Sequence, residues 1–432
     1  MQRRELQQLC AAAGLAAALI GHAAHAQDVS ASPDAGTRFD RGRTTAVKER
    51  VQPGYEEIGL RQGSFYIQPR LEIAAFADDN VYATQDDRTS GAGVLLAPTL
   101  RVRSDWSRHQ AALSASGVAS RFFGRSRENY ETFNVRAEGR YDADAHWRLY
   151  GIVGYRRDVE RRSDAGALRN TLRPVRYDTA NAGGRLTWQG NSLRLAADTN
   201  FSRTYYDDVV TSTGNALNSG TLGRRIVRAS GRADYAVSAN MAVVAIGAET
   251  WIDYPGITPG TALDFSSRKT ELLAGVSFEF TDLLRGEATA GYIAQNFKDA
   301  RIKDFSGFGG RVQVEYFPTR LTTVRLGVSR TQNEAGNPFA PSYRRTRAEL
   351  QVDHELFRYL IVSANADYER DRFQLPDRTE RRTHFGVSMQ YILDRHFTVI
   401  ARADHLRAST DPASVGRRFT DNTVLLGVAI RP

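Results

Sequence analysis

The chain has 432 residues and a formal net charge of +9, from 58 Lys and Arg against 49 Asp and Glu. Its one cysteine is Cys10, so the chain beyond the amino terminus has no thiol for a disulfide, a metal site or a nucleophile. The mean hydropathy of −0.45 and the lack of any later run near about eighteen apolar residues exclude a helical membrane protein. They do not exclude a β-barrel, in which only every second residue meets lipid.

At the amino terminus, Arg3 and Arg4 precede a short apolar run from Leu9 to Gly21, followed by Ala24-His25-Ala26. That order reads as a signal peptide over residues 1–26, cleaved between Ala26 and Gln27. Residues 27–64 are polar, with Gly, Pro, Asp and Arg and no apolar period, and are expected to form a flexible periplasmic tether.

From residue 65 to 432 the texture is that of repeated strands. Phe133, Val135, Ala137, Gly139 and Tyr141 alternate with Asn134, Arg136, Glu138, Arg140 and Asp142. Leu350 and Val352 alternate with Arg347, Glu349, Gln351 and Asp353; near the end, Val424, Leu426, Val428 and Ile430 share one face. Short turns are expected at 104–108, 142–146, 189–192, 238–240, 281–284, 317–320, 354–358 and 393–396. Longer polar connections, such as 207–223, 253–267, 333–342 and 410–417, fall between them. Regular alternation of short turn and long loop marks a transmembrane barrel and not a sandwich. Eight turns join sixteen strands, and one more at each end makes about eighteen, so both termini lie in the periplasm. The fold class is an all-β, transmembrane, antiparallel barrel. The residues around 243–248 are apolar on both faces and leave that strand's register open. Tyr141, Tyr155, Tyr205, Tyr235, Tyr292, Tyr316, Tyr368 and Tyr391 fall near strand ends, as interfacial rings would.

The face opposite the lipid is rich in arginine mixed with acids. Pore-lining candidates are Arg101, Arg103, Arg136, Glu138, Arg140, Arg228, Arg232, Asp234, Arg311, Glu315, Arg347, Glu349, Asp367 and Arg402. Two readings compete on equal terms: an arginine-lined channel that attracts anions, or a ladder of arginine–carboxylate pairs between neighbouring strands that stabilises the wall. Eighteen strands enclose water unless something fills the lumen.

No histidine pair has the i, i+4 spacing of a metal site, and no metal or other cofactor is expected. Asp78-Asp79-Asn80 and Tyr206-Asp207-Asp208 read as loop caps first and cation ligands second. His384 and Ser388 share a face but lie four residues apart on one strand, too far for a nucleophile–base contact. Gly307, Gly309 and Gly310 open a strand and not a helix, which removes phosphate-loop chemistry. No enzymatic activity is expected. Export and alternating apolar faces argue against a nucleic-acid partner.

The segment Tyr55-Glu56-Glu57-Ile58-Gly59-Leu60-Arg61-Gln62-Gly63-Ser64-Phe65 resembles the opening of an outer-membrane β-barrel porin family associated with exopolysaccharide export, the VpsM-like barrels. The similarity continues through Leu71-Glu72-Ile73, Asp78 to Tyr82, Ala97-Pro98 and Arg101 to His109, and covers about residue 50 to the end. Glu57 stands where that pattern carries proline, and the chain ends in Arg431-Pro432 where such barrels finish in an aromatic. The resemblance implies an outer-membrane conduit or accessory for secretion of a surface polysaccharide. Its partners would be a periplasmic polysaccharide export protein and the glycan itself. The alternative is a passive diffusion porin for small, anionic solutes. Either way, outer-membrane lipids, lipopolysaccharide and the barrel-assembly machinery are expected partners.

Overall fold

Period-two alternation fixes which face each side chain takes, and from Phe65 onward it builds eighteen long strands joined edge to edge. The computed structural model describes residues 45–432, apart from 165–166, 169–170, 218–222, 256–262, 336–339 and 413–416. The expected signal peptide and the tether up to residue 44 lie outside the described residues. In chain order the strands are β1 (Phe65–Asp78), β2 (Gly91–Ser104), β3 (Gln110–Phe122), β4 (Tyr130–Asp142), β5 (Trp147–Glu160) and β6 (Val175–Gln189). Then come β7 (Leu193–Tyr206), β8 (Arg224–Ser238), β9 (Met241–Asp253), β10 (Ser267–Phe280), β11 (Leu284–Phe297) and β12 (Phe305–Thr319). The last six are β13 (Thr322–Glu334), β14 (Ser342–Phe357), β15 (Leu360–Gln374), β16 (Asp377–Ile392), β17 (Phe397–Asp411) and β18 (Phe419–Ile430). Each pairs antiparallel with the next, and β18 pairs with β1, Leu71 opposite Ile430 and Asp78 opposite Thr423. The sheet therefore closes and leaves no edge, which is what a strand protein needs in lipid.

All eight short turns fall at one end, between the strands where the sequence places them. Two of them use the same device. Asp144 accepts the N–H of His146 (2.7 Å) and of Trp147 (2.8 Å), and Asp394 accepts those of His396 (2.7 Å) and Phe397 (2.8 Å). The opposite end carries the long connections, with one exception: β15 and β16 are joined by Leu375 and Pro376 alone.

The eight tyrosines named above are all exposed on the outer face. The open register of β9 is settled by its neighbours. Val243 and Trp251 are exposed, whereas Ala242, Val244 and Ile252 point inward and are buried. At the outer end β12 and β13 part, because their pairing stops at Gly310 and Arg330 while both strands continue. The end of β13 leans across the lumen. Gln295 Nε2 donates to Glu334 Oε1 (3.0 Å), Lys269 Nζ to the Gln332 carbonyl (3.0 Å), and Arg224 to the Ala335 carbonyl (3.3 Å).

The described part of the stretch expected to be a tether, from residue 45 to 64, is anchored to the barrel. Val47–Glu49 forms a 3-10 turn inside the short-turn mouth of the barrel. The Val47 N–H donates to Thr323 Oγ1 (3.0 Å), Lys48 pairs with Asp353 (3.0 Å) and Glu49 with Arg325 (3.1 Å). These contacts are polar and reach some 276 positions along the chain in the case of Val47, so no local periodicity announces them. Leu60–Gln62 then pairs with the start of β1. Glu57 and Arg431, the two departures from the resembled pattern, meet in one ion pair of 3.1 Å.

Candidate functional site

The inner wall is a fence of paired charges. Side chains two apart on a strand share a face, so an Arg-x-acid spacing places both groups in the lumen within reach of each other. Arg136–Glu138 (2.9 Å), Arg140–Asp142 (3.2 Å), Arg232–Asp234 (2.7 Å), Arg347–Glu349 (3.1 Å) and Arg402–Asp404 (2.8 Å) are all of this kind. Cross-strand pairs tie the fence together: Arg347–Asp367 (2.7 Å), Arg325–Glu315 (2.8 Å) and Arg228–Glu271. The most enclosed is Arg345–Asp371, bidentate at 2.8 and 2.6 Å with both side chains almost fully buried.

Of the expected lining residues, Arg101 is likewise engaged, and Arg103 lies over the Tyr66 ring at 5.3 Å. Arg311 alone among them is exposed with no ion-pair partner among the described residues. The two readings of the lumen are thus resolved largely in favour of the paired ladder.

Sequence reasoning missed the residues that narrow the lumen. In the connection after β5, the described residues around Arg161–Asp164 and Thr171 fold inward. Arg162 clamps Glu128 through two bonds (3.1 and 2.9 Å) and donates to Thr171 Oγ1 (2.7 Å). From the far wall, Arg382 donates to the Ser163 carbonyl, and Arg417 to the carbonyls of Arg162 and Asp164 (2.8 Å for the latter). Burial raises the Asp164 carboxyl above its usual range, opposed by the charges of Arg161 and Arg382. Beneath this loop lies a cavity of about 170 Å³, lined among others by Arg161, Asp164, Asp367, Arg382, His384 and Asp404. The run Arg161-Arg162-Ser163-Asp164 was visible in the sequence, but a loop has no period that says which way it folds.

His384 sits between Asp404 (2.9 Å) and Asp367 (3.4 Å), with Asn365 at 3.2 Å. Gly386 makes this possible, because a Cβ there would fall 2.5 Å from Asn365 Oδ1 and 2.7 Å from Asp404 Oδ1. Ser388 lies opposite Ser363 and Arg402, and among the described residues no hydrogen bond joins it to His384. Asp78, Asp79 and Asp421 bring carboxylate oxygens within 4.8 Å of one another. Asp78 accepts the Asn80 N–H, and Asp79 accepts the backbone and side-chain N–H of Asn422, so two of the three act as loop caps.

A closed barrel of eighteen strands with a charged, loop-narrowed lumen is the geometry of a porin, and residues 52–432 match the family model described as "Putative beta-barrel porin 2". The chain belongs to that family. Solved structures to which this family member is similar include the outer membrane protein OpdK of Pseudomonas aeruginosa, at 12% identity and a TM-score of 0.43 over 85% of this chain and 99% of that one. Others are OccK2 (OpdF) of the same organism (14%, 0.45, 84% and 98%) and OccAB3 of Acinetobacter baumannii (11%, 0.42, 85% and 99%). No curated protein matches the chain.

Proposed function

We propose that this porin-family barrel is a passive diffusion channel for small, hydrated, charged solutes, with its width set by the inward-folding residues Arg161 to Asp164 after β5. The observation that carries this reading is the clamp on that loop. Arg162, Arg382 and Arg417 hold it across the lumen from both sides. A constriction fixed by guanidinium groups and lined by both signs of charge suits small molecules that exchange water for polar contacts. Paired carboxylates offset much of the arginine field, so an anion preference rests on Arg311 and on the loop, not on the wall as a whole.

The experiment is conductance in planar bilayers with the Arg162→Ala variant. Loss of the bidentate contact to Glu128 releases one side of the loop, so single-channel conductance should rise. A wild-type barrel with no steady ion conductance would overturn the proposal.

Export of a polysaccharide is the second reading. It is supported by the resemblance of residues 55–65 to exopolysaccharide-associated barrels, with a periplasmic export protein as partner. A chain of linked sugars would have to displace both the loop and the segment around Val47. Deletion that traps polysaccharide inside the cell, with no change in small-solute uptake, would favour it.

A further inference from the structure

The outer face of β13–β16 holds a second set of arginines, which the lumen does not use. Arg330, Arg344, Arg370, Arg372 and Arg381 alternate with the inward residues of these strands; Arg370, Arg372 and Arg381 stand on the outer face, whereas Arg344, at the inward-leaning end of β13 and β14, lies against the inward-facing Phe305 ring. In register, Arg344 stands directly opposite Arg372, and Arg370 directly opposite Arg381. Arg344 also feels the charge of Arg330. Like charges at directly opposed positions repel, and a guanidinium cannot shed its proton to relieve the strain.

Elsewhere on the outer face Arg203 and Arg225 also stand directly opposite each other, but several outer arginines have acidic partners. Arg157 stands opposite Asp178 with bonds of 2.8 and 2.7 Å, Arg121 pairs with Glu131, and Arg268 with Glu249. None of the five has an ion-pair partner among the described residues. The Nε–H groups of Arg330 and Arg344 are buried without an acceptor. Arg344 lies over the Phe305 ring at 4.1 Å, in the seam where β12 and β13 part. Arg370 and Arg372 are exposed beside it.

Height decides what could satisfy them. The last outward apolar residues below the cluster are Val328, Ala348, Tyr368 and Phe385, two to four positions nearer the short-turn end. At about 3.4 Å per residue and the usual strand tilt, the arginines stand roughly 5–10 Å above that belt. This is the headgroup layer on the long-loop side, where a barrel with periplasmic short turns meets the outer leaflet. We propose that the outer-face Arg370, Arg372 and Arg381, with Arg330 beside them, form a binding site for the phosphorylated headgroup of an outer-leaflet glycolipid. Planar guanidinium forks on adjacent strands match phosphate oxygens, and a lipid-borne phosphate would supply the acceptors and the counter-charge that the chain omits.

The test uses the full-length barrel in phosphatidylcholine nanodiscs, with lipid A bisphosphate as the probe and native mass spectrometry and titration as the readouts. The variant R370Q/R372Q/R381Q should weaken lipid A binding by at least about tenfold. R121Q, which alters an outer-face arginine that already has a partner, should leave it unchanged. Dephosphorylated lipid should bind the wild type no better than the intact lipid binds the triple variant. Thr346→Glu, which places a carboxylate opposite Arg330 and Arg370, should also weaken binding and covers the case in which the triple variant does not fold. Equal affinity of wild type, triple variant and Thr346→Glu would overturn the proposal. So would inorganic phosphate at equal concentration displacing the lipid completely, because the site would then read free phosphate and not a lipid.

Discussion

Strands β13–β16 present arginines to both sides of the barrel wall, and the two sides treat them in opposite ways. On the inner side Arg345 and Arg347 each find carboxylates, Asp371 for the first and Glu349 and Asp367 for the second. On the outer-facing positions of the same strands Arg344 stands opposite Arg372, and Arg370 opposite Arg381. The lumen charges are internally neutralised, so the inner wall is stiff and carries little net field. The outer charges are left for something that is not part of the chain. An arginine count therefore says little about this barrel until each residue has been assigned a face and a partner.

The sharpest way to break the inner half of the comparison is Asp371→Ala. Arg345 would then be buried with its principal partner gone, which costs about 3–5 kcal/mol. Urea unfolding, followed by the heat-modifiable mobility of the barrel on gels, should show a clear loss. The double variant R345M/D371L should recover most of it, because an apolar pair of similar volume needs no compensation. A single variant no worse than the double would mean that the pairing does not organise this wall.

Much of that wall was legible in advance. The alternation around Arg136 and Arg347 assigned faces correctly, and the eight short turns fixed the strand number. Pairing was expected between neighbouring strands, and many of the pairs instead join residues two apart on one strand. Three things stayed hidden, each for a physical reason. Residues 161–164 after β5 fold inward through contacts to Glu128, Arg382 and Arg417, which are distant in sequence and follow no period. The segment around Val47 enters the inner mouth by ion pairs to β13 and β14 and not by an apolar stripe. The outer arginines were masked because they continue an alternation whose earlier members are apolar.

A smaller effect sharpens the outer half. Thr346→Glu would give Arg330 and Arg370 the cross-strand carboxylate that Arg157 already has in Asp178. In neutral detergent at low salt, without anionic lipid, the variant should be more stable than wild type by up to about 1 kcal/mol. At about 1 M salt the gain should vanish, since exposed charges are then screened within about 3 Å. A gain that survives high salt would come from packing and would remove repulsion as the reason for the site.

The smallest effect concerns charges that use neither an arginine nor a lipid. Asp144 and Asp394, in the short turns, are held below the usual carboxylate range by backbone N–H groups. Trp147 and then His146 donate to the first, and His396 and then Phe397 to the second. A carboxyl whose folded pKa is depressed contributes stability that is complete above its unfolded value of about 3.9 and is lost as pH falls toward the folded one. The wild-type unfolding midpoint in urea should therefore drop on acidification below about pH 4. In D144A/D394A the midpoint should start lower at neutral pH and fall less over the same interval. An unchanged acid slope in that variant would place the titrating groups elsewhere, among the carboxylates of the inner wall. The turns would then join the lumen side of the comparison, with the same paired acids governing both.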